Sequence, residues 1–231
     1  MGCIVDTTFN EAYELKNQIS KNVFYAIKRS NKKEVVIKFD VSNTLSNLHS
    51  KCYKISKKYF VAQLAYYPYT LANVIEFMPY KLCDVLYKLT KKEISKIISQ
   101  ILRCIEILHG ADIVHGHLTI NEIFVTDLVH CDIKMLPPTG IKTKKNDDIY
   151  AIGLLTHNLF EKFPFIDPCS QDFIRAATNK ELSTKELLTH PFITGSGQYP
   201  ILKTNTKTKI KIKIKIKPNY NNKKLDSIIE K

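Results

Sequence analysis

Residues 115–125 read His115-Gly116-His117-Leu118-Thr119-Ile120-Asn121-Glu122-Ile123-Phe124-Val125. A polar knot over 115–122 leads into a short apolar strand, Ile123-Phe124-Val125. Upstream, Thr90 and Glu93 have the spacing of a capping box. Ile94, Ile97, Ile98, Ile101, Leu102, Ile105 and Leu108 follow at intervals of three and four, and Gly110 stands where a helix would stop. The pattern predicts a long, largely buried helix leading into the knot. Downstream, Ile149, Ile152, Leu155 and Leu159 share one face of a second helix predicted over 148–160. Ser183 with Glu186 marks a further helix start, and Pro191 its end.

Towards the N-terminus the period changes. Residues 13–39 read as strand-rich, and 23–27 and 35–39 flank the polar run 29–33, a hairpin signature. Val35, Ile37 and Phe39 share one face of the second strand, Val36 and Lys38 the other. Taken alone, Lys38 reads as a solvent-facing lysine. Residues 43–58 are helical and basic, and no Asp or Glu occurs between 41 and 75. Residues 74–78 read as a buried strand stopped by Pro79, a seam between a β-rich part and a helical part. No internal repeat is visible.

Composition excludes several classes. The 231 residues, 44% hydrophobic and 25% charged, are ordinary globular usage. No apolar run approaches the roughly 18 residues of a membrane span. The six cysteines form no Cys-x-x-Cys pair, which argues against a zinc knuckle or a disulfide framework and for a reducing, intracellular setting, cytoplasmic or nuclear. The net charge is +13, but residues 203–231 carry ten lysines against Asp226 and Glu230. The basicity is therefore mostly a property of the tail.

The order of these segments resembles the protein kinase family over about residues 13 to 194. Glu34–Lys38 is similar to the strand with the phosphate-pairing lysine, and 74–79 to the strand and hinge between lobes. Residues 115–125 are similar to the catalytic loop, 147–153 to the start of the central helix of the large lobe, and 183–193 to the closing helix. The resemblance implies an α+β, two-lobed fold. Its parts would be an N-terminal extension at 1–12, a small lobe at 13–78, a helical lobe at 79–194 and a basic low-complexity tail at 195–231. It also implies structural roles for His115 and for Asp148, which would accept hydrogen bonds from the catalytic-loop backbone.

The departures fall on the chemistry. Phosphoryl transfer needs metal, a clamp on the phosphates and a group that orients the attacking hydroxyl. The stretch 19–23, where the family's phosphate loop lies, has no glycine. Nucleotide contacts would fall to Lys38, Val36, Glu76 and Met78. Lys38 has no acid on the following helix to pair with. Val36 stands where the family has alanine and would crowd an adenine at a cost of about 1–3 kcal/mol. His117 takes the place of the catalytic aspartate, Thr119 of the lysine, Glu122 of the metal-binding asparagine and Gly116 of the arginine. The metal-binding aspartate has two alignments: Asp132, which would give a metal pair with Glu122 and make 135–139 the end of a short activation segment, or Pro137, which gives none. The first is favoured. The family's structural Glu–Arg pair would fall on Pro138 and Glu181 and be lost.

The resemblance therefore implies a pseudokinase, a scaffold or allosteric decoy in kinase signalling that requires no cofactor and binds a protein partner, a kinase or a kinase substrate. The alternative is a divergent ATP- and Mg²⁺-dependent serine/threonine kinase. Gly2 and Cys3 resemble acylation sites, with Asp6 weakening the match. The alternating Lys and Ile of 209–217 would suit disorder, contact with acidic lipid or nucleic acid, or strand addition.

Overall fold

The computed structural model describes residues 7–138 and 143–196. Gly2, Cys3, Asp6 and the Lys/Ile tail lie outside the described residues. Five strands form one antiparallel sheet: β1 (Tyr13–Ser20), β2 (Val23–Lys28), β3 (Glu34–Lys38), β4 (Gln63–Tyr67) and β5 (Ala72–Glu76). Their order is β1-β2-β3-β5-β4. The predicted hairpin is present, with Tyr25 opposite Val36 and Ala26 opposite Val35. Val35 and Ile37 are fully buried, and Val36 and Lys38 turn to the other face, as alternation requires. α2 (Asn43–Ile55) crosses between β3 and β4, capped by the Ser42 hydroxyl on the Leu45 amide.

The small core contains Tyr13, Ala26, Val35, Ile37, Ala72 and Val74. It also contains Phe9, 4% exposed, from the short helix α1 (Thr7–Ala12), whose ring meets Phe39 and Tyr67 edge-on. The extension expected at 1–12 is thus corrected. Its second half packs on the small lobe, where Phe9 fills the sheet's apolar core.

The larger lobe is built on α4 (Lys91–Gly110). Both halves of its capping box are made, and its seven Ile and Leu residues at 94–108 are buried. Gly110 is its last residue, and Asp112, at φ 55°, takes the left-handed turn that ends it. Around it stand β6 (Tyr80–Lys81), α3 (Leu82–Val85), β7 (Ile123–Asp127), β8 (Asp132–Met135), α5 (Lys145–Phe160), α6 (Pro168–Thr178), α7 (Thr184–Thr189) and α8 (Pro191–Thr194). α5 starts one turn before the predicted Asp148, because Asp147 accepts the Lys144 amide at 3.0 Å. Gly153 permits its approach to α6: a Cβ there would lie 2.7 Å from Thr178 Cγ2. Glu181, the expected remnant of a lost ion pair, has a local partner instead and meets Arg175 Nη1 at 2.7 and 2.8 Å.

The seam does not fall cleanly at 78. Cys52, Tyr59 and Phe60 belong to the larger core. The connection after α2 reaches β8 through hydrogen bonds of Val61 N to Met135 O and Met135 N to Tyr59 O. Among the described residues no helix is long and apolar enough to cross a membrane.

Candidate functional site

A cleft of about 320 Å³ opens below the sheet, towards the low end of small-molecule pockets. Val36, Ile75 and Met78 form one wall and Phe124, Leu136 and Pro137 the other. Its polar groups are Ser20, Lys38, His49, Asn73, Glu76, Lys81, Asn121 and Glu122. β3 delivers Val36 and Lys38 together because they alternate to the same face.

The roof is the β1–β2 turn. Ser20 pairs with Val23, so only Lys21 and Asn22 make the turn, and Asn22 adopts φ 60°. The Asn22 carbonyl accepts the Phe39 amide at 2.8 Å, and the Asn22 side chain donates to Asp40. The tip is thereby pinned to the exit of β3. Ile19, Ser20 and Val23 present side chains where a phosphate cradle would present bare backbone.

Behind Lys38 lies a histidine that the sequence pattern did not single out. His49 sits on the inward face of α2, and its Nδ1 accepts from Asn73 Nδ2 at 2.9 Å, so Nε2 carries the proton. Burial, with the Lys38 charge nearby, pushes its pKa down to about 4. It is therefore neutral at pH 7 and is no counter-ion for Lys38. Lys38 makes no ion pair among the described residues. Asn73, opposite Lys38 in the β3–β5 register, is 1% exposed and leaves its Oδ1 without a partner.

Glu122 is the free carboxyl of the cleft. Burial raises its pKa against the pull of His117, Lys38 and Lys81. Glu76, expected to contact nucleotide, is engaged elsewhere. It accepts the Ala62 amide at 2.6 Å and pairs with Lys134 of β8. Its carboxylate ties the sheet to the larger lobe. Met78 stays at the cleft wall.

Asp132 is the main correction. β7 and β8 pair as a hairpin with Ile123 opposite Met135 and Phe124 opposite Lys134, which places Asp132 beside the turn, opposite Asp127. It is exposed and lines a different surface groove, far along the hairpin from Glu122. From β8 onwards only Leu136 and Pro137 line the cleft. Met135 belongs to the strand, so the stretch from it is no activation-segment end; residues 139–142 lie outside the described residues. Proline offers no metal ligand. Among the described residues no three His, Cys, Asp or Glu side chains are grouped to hold a metal ion.

The other end of the 115–122 loop is held by hydrogen bonds to Asp148 and Leu136. Asp148, 1% exposed in the first turn of α5, accepts the His115 amide and the Gly116 amide at 2.9 Å each and meets His109 Nε2 at 2.8 Å. Gly116 adopts φ 75°, a conformation that favours glycine. His115 donates Nε2–H to the Leu136 carbonyl at 3.1 Å, and burial holds its pKa below the usual value. His117 is exposed beside Glu122. Thr119 uses its carbonyl to accept the Glu122 amide at 3.1 Å.

No family model and no curated protein matches the sequence. Among solved structures the chain is similar to the crystal structure of Rad53 1-466 in complex with AMP-PNP, with a TM-score of 0.65 and 17% identity. The match covers 80% of this chain and 66% of that one, so the chain spans just under two thirds of it. At this identity the likeness establishes the fold, α+β and protein-kinase-like, and nothing finer. Matches extend to 1925 solved chains, so the shape by itself selects no single activity.

Proposed function

We propose that this protein is a pseudokinase: a kinase-like fold retained for binding, acting as a scaffold or allosteric decoy towards a kinase or a kinase substrate. One observation carries the reading. Pro137 occupies the cleft beside Glu122, Asp132 lies elsewhere and Glu76 is tied to Lys134, so a single uncommitted carboxyl stands where two metal ligands are required. Three further features point the same way. Neutral His49 stands beside Lys38, the roof turn is pinned and carries side chains, and His117 replaces the aspartate that would accept a hydroxyl proton. These changes act on one transition state, so their effects do not add. No cofactor is required for this role. The Rad53 structure holds AMP-PNP; here the narrow cleft and missing metal pair argue against productive use of ATP.

The reading of a divergent active kinase rests on a Glu122–Asp132 pair, absent from the cleft, and on His117 as an unusual base. The test is phosphoryl transfer from γ-labelled ATP by protein purified free of host kinases, with Lys38→Ala alongside. Incorporation at background level in both proteins is expected. Transfer by the parent that Lys38→Ala abolishes would overturn the proposal.

A further inference from the structure

The outer face of α4 carries an organised surface that the cleft does not use. A groove of about 740 Å³ runs along it. Lys92 and Lys96 project from successive turns of α4, Arg103 from about two turns further on and Lys58 from the facing connection; all four are exposed, and none has an ion pair among the described residues. Lys92 and Lys96 repel each other across one turn. The groove's two carboxylates sit at its rims: Asp132, and Asp167, which caps α6 and meets Lys91 at 3.7 Å.

The walls are fixed. Ser95 donates to the Phe192 carbonyl at 2.6 Å and holds α8 against α4. Gln100, 8% exposed, donates to the Cys131 carbonyl at 2.7 Å and holds the β7–β8 turn on the other side. Phe192 and Ile193 add an apolar lip. The groove is thus preformed, part apolar and cationic along its length.

We propose that this groove docks an acidic, extended peptide segment of a partner protein. From Lys92 to Arg103 the helix advances about 16 Å, the length of about five extended residues. Lys92 and Lys96 lie about 6 Å apart along the axis, close to the spacing of about 6.7 Å between alternate residues of a strand. Carboxylates at two alternate positions meet Lys92 and Lys96, a further one about three residues on meets Arg103, and the intervening apolar side chains face the lip. Nucleic acid fits less well. The rim carboxylates oppose its phosphates, and Tyr59 is too buried, at 8% exposure, to stack with a base. The inference rests on the groove alone, so its failure would leave the pseudokinase reading standing.

The test uses the full chain and a fluorescein-labelled peptide of about nine residues in which glutamate alternates with leucine, read by anisotropy at fixed salt. Two triple reversals remove the same charge: Lys92→Glu, Lys96→Glu and Arg103→Glu in the groove, and Arg29→Glu, Lys33→Glu and Lys88→Glu elsewhere, the basic tail being identical in both. The groove reversal is expected to weaken binding by about tenfold or more and the control by less than twofold. Equal losses, or no measurable binding by the parent, would overturn the proposal. So would a groove reversal that releases a labelled oligothymidylate but not the peptide. Should the groove reversal lower the melting temperature, the Gln triple at the same positions is read instead, with a loss of about threefold expected and no change contradicting it.

Discussion

The 115–122 loop has two ends that have met different fates. At its start Asp148 takes two backbone amides and a histidine, deep in the larger lobe. At its finish Glu122 faces a cleft with Lys38, Lys81 and His117 nearby, and the cleft's other carboxylate, Glu76, is already paired with Lys134. The first set of bonds goes mainly to backbone, which every sequence possesses, and it holds the loop's shape. The second consists of particular side chains, which can be substituted with the backbone left in place. Shape and chemistry are therefore separable within one short loop.

The sharpest way to break this contrast is Asp148→Ala. It leaves two buried amides without an acceptor, and a loss of about 3–5 kcal/mol in denaturant unfolding is expected. His117→Asp, at the exposed end, should change stability by less than about 0.5 kcal/mol. A comparable loss at both would dissolve the distinction. Next in size is Gly153→Ala, which forces a methyl group against Thr178 and should cost about 2 kcal/mol by the same measurement.

The third prediction concerns pH. His49 is depressed from 6.5 to about 4 in the folded protein, so the unfolded chain binds the extra proton first. The stabilisation from neutral His49 is complete above about pH 6.5 and declines as pH falls towards 4. His49→Gln keeps an acceptor for Asn73 and removes the titration. The parent should lose about 1–2 kcal/mol more than the variant between pH 7 and pH 4.5, and parallel curves would refute the assignment. Smallest is Glu76→Gln, which keeps an acceptor for Ala62 but drops the Lys134 pair, at an expected cost of about 1 kcal/mol.

Much of the frame was legible because it is written in local rules. Both capping boxes, the three-four spacing of α4 and the β2–β3 hairpin are each decided within a short stretch of chain. What escaped depends on partners distant in sequence. Whether Asp132 or Pro137 faces the cleft turns on the length of the β7–β8 hairpin, which the stretch 128–131 does not announce through Gly or Pro. The docking of Phe9 and the bond from Val61 to Met135 join segments with no shared pattern. His49 was readable in principle, standing four residues after Leu45 and three before Cys52 on one helical face, but what it faces comes from β3 and β5.

The central claim, a kinase-like frame without a metal site, is tested most directly by thermal melting with ATP in the presence and absence of Mg²⁺. A ligand that binds only the native state must raise the melting temperature. The account predicts the same melting temperature with ATP whether or not magnesium is present. A rise that appears only with both together, and that disappears in Glu122→Gln, would contradict it.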